Sequence, residues 1–361
     1  MKQHVPDPLD PDLAGMLEAM RASGATALHT VSPHHARRGY AKLARALAVP
    51  ATPNDMAVVD YSIEDRIPVR VYRSAHREPT HDEEPGGTQV IGRQTSGAEI
   101  TGRGSSGSGE GEPVIVYLHG GGWVVGDLDT HAQLARDICR YTRATVVAVD
   151  YQRAPESPFP AALDDVIAVI RWLLEVEPSV GATTALGIVG DSAGANLAIS
   201  ALVRAPELKR HVDDLLLAYP LVQHESHTKS RVDLAEGYML ETATVEWFSR
   251  MYAGDLSVEE LNREPMANPL EADLDALPPT RVIVAGFDLL RDEGVLLAER
   301  CHRFGVEVDL VEESAMLHGF LELGAASAAA AAISRRELTA LGERLRRCSQ
   351  ARGAAGPGSA Q

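Results

Sequence analysis

Residues 186–204 read LGIVGDSAGANLAISALVR, and this stretch decides the fold. An apolar run, 186–189, has strand character, and the residues from Ala193 onward have the periodicity of a buried helix. Between them stands Gly190-Asp191-Ser192-Ala193-Gly194, a G-x-S-x-G motif. A strand that turns sharply into a helix forces its serine into strained backbone geometry and projects the Oγ away from the sheet. Side chains beside the serine must be small to avoid collision, and Gly190, Ala193 and Gly194 meet that demand. The helix N-terminus adds a positive electrostatic end where negative charge would develop. The plainer alternative is a small-residue turn without chemistry. The strand–turn–helix setting favours Ser192 as a nucleophile.

Upstream, a short β-branched run at 114–118 leads directly into His119-Gly120-Gly121-Gly122-Trp123. Consecutive glycines let backbone N–H groups turn inward without obstruction by Cβ atoms, and such donors can bind the oxyanion of a tetrahedral intermediate. A flexible glycine turn is the bland alternative. A phosphate loop fits less well, because no Lys-Ser/Thr follows. The formal GxGxxG at 102–107 has polar, glycine-rich flanks instead of a strand and a helix, so no nucleotide site is expected there.

Downstream, a serine nucleophile needs a base that is itself oriented by an acid. A strand expected at 281–286 is followed by Asp288, and one expected at 306–311 is followed further on by His318. Asp292 competes with Asp288. It falls at the start of a helical pattern over 292–304, where an acid suits the helix terminus. His302 lies within that pattern and reads as a surface residue. Asp288 is therefore expected as the orienting acid, His318 as the base, and Asp292 as a helix-capping or supporting group.

Strand-like and helix-like segments alternate from residue 113 to about 347, with apolar strands that argue for a mostly parallel sheet covered on both faces. A hairpin is expected at 56–63 and 67–72, and an amphipathic helix at 11–22, where Leu13, Met16, Leu17 and Met20 recur at helical spacing. Residues 221–265 interrupt the rhythm as a helical insertion. Residues 74–112 are rich in Gly, Ser, Thr, Glu and Arg and read as a disordered insertion. Residues 348–361 read as a disordered tail.

With these pieces in place, the sequence resembles the hormone-sensitive-lipase-like branch of the alpha/beta-hydrolases, which contains many bacterial carboxylesterases. The likeness rests on His119-Gly-Gly-Gly-Trp123, Asp150-Tyr-Gln-Arg-Ala-Pro-Glu156, Phe159-Pro-Ala-Ala-Leu-Asp-Asp165, Gly190-Asp-Ser-Ala-Gly194, Asp288-Leu-Leu-Arg-Asp-Glu293 and His318-Gly-Phe320. It implies an alpha/beta-hydrolase catalytic domain at 51–220 and 266–347, under a cap made of residues 1–50 and 221–265. It implies Ser192, Asp288 and His318 as a triad, and an oxyanion hole from the N–H groups of Gly121, Gly122 and Ala193. His119, Gly120 and Asp191 would support the motifs. Gln152-Arg153, Leu289 and Ala195 depart from the usual family residues without removing a catalytic group.

The expected activity is hydrolysis of short- to medium-chain carboxylic esters through an acyl-enzyme, with no cofactor and no metal. An amidase, peptidase or deacetylase on the same triad is the enzymatic rival. A non-catalytic ligand receptor is the rival from another class, disfavoured because His318 is present. His224-Glu225-Ser226-His227 lacks the HExxH spacing of a zinc site. Trp123 and Trp247 could line an acyl pocket or serve as plain core. The chain has 34 Lys+Arg against 51 Asp+Glu, a net charge of −17, which argues against nucleic acid or an anionic membrane as partner. No apolar run suits membrane insertion, and the start MKQHVPDPLD shows no signal peptide. Cys139, Cys301 and Cys348 are too few and too scattered for a disulfide framework, so a cytoplasmic setting is expected. The partner is a small-molecule ester; a homodimer is left open.

Overall fold

Strand β4 (Val114–Leu118) shows how the core is divided. All five of its residues are buried; Val114, Val116 and Leu118 enter one hydrophobic cluster, Ile115 and Tyr117 the other. A strand apolar at every position must be covered on both faces. The computed structural model describes residues 8–24, 26–48, 56–74, 89–91, 112–177, 180 and 184–355.

Among the described residues, nine strands form one sheet. With β1 (Met56–Ile63), β2 (Ile67–Ser74), β3 (Gln89–Ile91), β5 (Thr145–Val149), β6 (Leu186–Asp191), β7 (Asp214–Ala218), β8 (Thr280–Phe287) and β9 (Val308–Leu317), the order is β3-β1-β2-β5-β4-β6-β7-β8-β9. The hairpin β1–β2 is antiparallel and joins β5 antiparallel; from β5 through β9 every pairing is parallel. Parallel neighbours put their C-terminal ends on one edge of the sheet, where ligands bind in open α/β sheets.

Helices α1 (Pro11–Ala22) and α2 (Pro33–Leu47) precede the sheet, and α3 (Ala132–Thr142) follows the glycine loop. Helices α4 (Ala161–Val176), α5 (Ala193–Arg204) and α9 (Arg291–Arg303) pack in one cluster; α3 and α10 (Ala328–Ala355) pack in the other. Between β7 and β8 come three short helices, α6 (Lys229–Asp233), α7 (Thr242–Ala253) and α8 (Val258–Arg263).

Three expectations are corrected. Strand β9 is longer than 306–311 and runs into Leu317, so His318 stands directly at its end. This is an edge strand with charged, partly exposed positions such as Glu312 and Glu313, and those obscure its period. The boundary at 348 fails, because α10 continues to Ala355. The Ser349 hydroxyl accepts from the Ala185 N–H at 2.9 Å, and Arg352 pairs with Asp213 at 2.7 Å, so that end is tied to the sheet. Residues 356–361 lie outside the described residues. Within the insertion expected at 74–112, Ser74 ends β2 and Gln89–Ile91 pair in parallel with Tyr61–Ile63; residues 75–88 and 92–111 lie outside the described residues.

Candidate active site

Ser192 occupies the turn between β6 and α5 with φ 54° and ψ −118°. Non-glycine residues rarely adopt this geometry. It is held by the Ser192 N–H bonding to the Ala218 carbonyl at 2.9 Å. The turn also lies against the end of β4. A Cβ on Gly194 would collide with the Leu118 carbonyl, so only glycine fits there.

His318 follows β9 and Asp288 follows β8, so neighbouring parallel strands deliver both to the same edge. His318 Nε2 is 3.0 Å from Ser192 Oγ, and His318 Nδ1 is 2.7 Å from Asp288 Oδ2. Asp288 is buried, and its other oxygen accepts from the Leu290 N–H at 2.9 Å, which fixes the carboxylate plane. A hydroxyl placed on an imidazole whose far nitrogen meets a buried carboxylate can give up its proton to that ring. Asp292 goes elsewhere. Its Oδ2 accepts from the Ser230 N–H at 2.8 Å and its Oδ1 from Arg291 Nε at 2.9 Å. It therefore joins α9 to α6 instead of capping its own helix.

The glycine loop lies beside Ser192. The Gly120 N–H donates to Asp191 Oδ1 at 3.0 Å, and the Tyr117 hydroxyl donates to the same oxygen at 2.9 Å. Among the described residues, the N–H groups of Gly121, Gly122 and Ala193 have no acceptor. Gly122 has φ +59°, and a Cβ there would enter the Phe248 ring from α7. His119 is buried, stacked on Tyr151 at 4.3 Å, with its Nδ1 2.7 Å from the Gly120 carbonyl. Burial and the nearby His131 hold it well below the usual imidazole range, so it stays neutral. Trp123 is fully buried and stacked on Tyr252 at 4.3 Å, which makes it core. His302 is exposed, as expected.

Sequence reasoning missed three features. Phe248 meets Gly122 across 126 positions of chain with no local signal. Arg231 on α6 and Glu293 on α9 form a buried ion pair at 2.5 Å. His131, Asp191 and Glu322 gather behind the serine, their ligand-type atoms all within 4.8 Å of one another. Of these last three residues, only Asp191 belonged to a recognised motif.

The alpha/beta hydrolase fold family model matches residues 115–322. The chain is 31% identical over 328 residues to the ethyl acetate hydrolase of Pseudomonas putida, covering 88% of this chain and 93% of that protein. It is 36% identical over 231 residues to the esterase LipI of Mycobacterium tuberculosis, covering 63% and 72%. The crystal structure of a thermostable esterase from Pseudomonas putida ECU1011 superposes with a TM-score of 0.78 at 28% identity, covering 94% of this chain and 99% of that one. Among the described residues, no helix is long and apolar enough to cross a membrane. The family match takes in the strands from β4 to β9, all but the first residue of β4, and both loops that meet at Ser192, and with it the chain belongs to the alpha/beta-hydrolase fold family, in its hormone-sensitive-lipase-like branch, as a carboxylic ester hydrolase.

Proposed function

We propose that the protein hydrolyses short- to medium-chain carboxylic esters through Ser192, His318 and Asp288. The observation that carries this is the continuous chain from Ser192 Oγ through His318 to Asp288, at 3.0 and 2.7 Å. Ser192 Oγ attacks the ester carbonyl while its proton passes to His318 Nε2. Asp288 holds the ring by Nδ1 and stabilises the imidazolium. The N–H groups of Gly121, Gly122 and Ala193 receive the negative oxygen of the tetrahedral intermediate. His318 then gives its proton to the leaving alkoxide, and the acyl-enzyme forms. Water, deprotonated by the same histidine, attacks the acyl carbon. Collapse of the second intermediate returns the proton to Ser192 and releases the acid.

The described residues within 1–50, together with 221–265, act as the cap over this site. Arg37 of α2 supports that role by bonding the Val124 and Ala154 carbonyls, both at 2.8 Å. Phe248 supports a small acyl group, because its ring fills the space beside Gly122. The relative named ethyl acetate hydrolase points the same way by its name. Free, scattered cysteines support a cytoplasmic setting.

The test combines a fluorophosphonate probe with p-nitrophenyl esters of increasing acyl length. Wild type should gain one phosphonyl group on Ser192 and turn over acetate and butyrate faster than decanoate. Ser192→Ala should lose labelling and about 10⁶ of kcat, as expected where triad members act as a unit. Labelling at another residue, or turnover retained in Ser192→Ala, would overturn the assignment. Faster cleavage of the matching amides than the esters would favour the amidase alternative.

A further inference from the structure

Behind the serine lies a charged cluster that the proposed mechanism does not use. His131, in the turn before α3, is almost completely buried. Its Nε2 is 2.8 Å from Glu322 Oε1 and 3.3 Å from the Tyr40 hydroxyl of α2. Its Nδ1 is 3.0 Å from Thr130 Oγ1. The Asp191 carboxylate comes within 4.8 Å of both the imidazole and Glu322. The ring faces of His131 and His119 stack at 4.9 Å. Asp127, in the same turn, adds further negative charge, itself partly offset by Arg153 at 3.8 Å.

The two carboxylates belong to different parts of the catalytic machinery. Asp191 immediately precedes Ser192 and binds the Gly120 N–H, the residue before the free N–H groups of Gly121 and Gly122. Glu322 lies in the 3₁₀ turn Phe320–Glu322, which begins two residues after His318. Two carboxylates this close, Asp191 buried and Glu322 partly exposed, repel unless a cation stands between them or one takes up a proton. Protonating Asp191 would weaken its hold on Gly120. Pushing Glu322 away would move the turn that directly follows His318.

We propose that His131 is a positioning residue: as an imidazolium bridging Asp191 and Glu322, it fixes the oxyanion loop relative to the loop that carries His318. This rests on the triad assigned above. Burial opposes charge on the ring, but Glu322, Asp191 and Asp127 more than reverse that, and the imidazole is raised to about 9. His119 remains neutral and adds no competing charge. Because the folded value lies above that of free imidazole, the bridge is complete at neutral pH and is lost as pH rises through about 9.

The test uses the full chain with His131→Gln, Glu322→Gln and the double variant, on p-nitrophenyl acetate from pH 6 to 10.5. His131→Gln should lower kcat by roughly 10²-fold, the scale of a small misplacement of catalytic groups. Its KM should stay within about twofold, since no substrate contact is removed. Wild-type kcat should fall reversibly through about pH 9. Glu322→Gln should move that limb down by about one unit or more, because the nearest opposing charge is gone. The double variant should recover at least about tenfold in kcat over His131→Gln, since deleting both charges removes the mismatch. An unchanged kcat in His131→Gln, a double variant no better than the single, or an unmoved alkaline limb in Glu322→Gln would each overturn the proposal. If His131→Gln fails to fold by circular dichroism, the limb in Glu322→Gln decides alone. Fluorophosphonate labelling separates the two levels. An unlabelled wild type sinks the nucleophile itself. A His131→Gln variant labelled as fast as wild type sinks only the positioning role.

Discussion

The floor and the roof of the site are built in different ways. The floor comprises the strand ends that carry Asp288 and His318, together with the turn at Gly190–Gly194 and the loop at Leu118–Gly122, these two pressed together by backbone contacts that admit no extra carbon at Gly194. Its geometry follows from small side chains and strand ends. The roof proposed above, residues 221–265, consists of short helices held by contacts across long stretches of chain, apolar as well as polar: Val245, Trp247, Tyr252 and Leu261 enter the same core cluster as the sheet. Arg231 meets Glu293, Ser230 meets Asp292, and Arg21 of α1 donates to the Gly237 carbonyl at 2.6 Å. Two aromatic rings of α7 reach down to the glycine loop: Phe248 lies against Gly122, and Tyr252 stacks on Trp123. Local sterics thus fix the chemistry, while a few distant pairs fix what lies above it. Changes in the floor should strike kcat, and changes in the roof should strike stability and substrate choice.

The largest effect should come from the floor. Asp288→Asn should lower kcat by about 10³–10⁴, because the amide holds His318 in the wrong tautomer. Thermal unfolding should move far less. A kcat within tenfold of wild type would break the division, since an acid would then be dispensable to the base.

The roof should respond in the opposite sense. Arg231→Met leaves Glu293 buried without a cation, its carboxyl already pushed up by burial. Breaking a buried pair from one side costs about 3–5 kcal/mol. Denaturant unfolding should show that loss. Arg231→Met/Glu293→Leu should regain most of it, because an apolar pair removes the stranded charge. The folded fraction of the single variant should keep kcat within about threefold, as no transition-state contact is lost. A large kcat loss per folded molecule would show that the roof also shapes the chemistry.

This division explains what the sequence made legible. Ser192, the glycine loop, Asp288 and His318 sit at the ends of strands, and their spacing is dictated by steric needs that act within a few residues. Helix α5 was legible to its boundaries, Ala193–Arg204, for the same reason. The length of β9 was not, because an edge strand can carry Glu312 and Glu313 without penalty. The end of α10 was not, because Ser349 and Arg352 are anchored by Ala185 and Asp213, more than a hundred positions away. Phe248, Arg231–Glu293 and His131–Glu322 are likewise pairings across long separations. Apart from Glu293, which ends the Asp288–Glu293 run, each single residue in them has an ordinary local context. Nothing short of the fold brings them together.

Phe248 tests where roof and floor meet. Phe248→Leu removes ring volume beside Gly122 while keeping an apolar contact. The ratio of hexanoate to acetate turnover, compared as kcat/KM, should rise by about tenfold, within the 1–3 kcal/mol that small volume changes in an apolar pocket control. Turnover of acetate itself should change little. An unchanged ratio would place the acyl group on another side of Ser192 and leave Phe248 as packing between roof and floor.

The smallest effect should come from Asp292, the acid four positions from Asp288. Both follow β8, yet only Asp288 meets His318, while Asp292 faces Ser230 and Arg291. In Asp292→Asn the amide oxygen can still accept the Ser230 N–H, so the tie between α9 and α6 survives. What disappears is a charge in the first turn of α9, where an acid is worth about 0.3–1 kcal/mol. The pair with Arg291, half-buried on both sides, adds little more. A melting curve should therefore fall by about 2–4 °C or less, and kcat should stay within about twofold. Measured beside Asp288→Asn, the two substitutions make the same chemical change at neighbouring positions, so any general effect of losing a carboxylate cancels in the comparison. A kcat loss in Asp292→Asn comparable to that in Asp288→Asn would mean that the floor extends into α9, and that the distinction between chemistry held by sterics and a roof held by pairs fails at the place where they join.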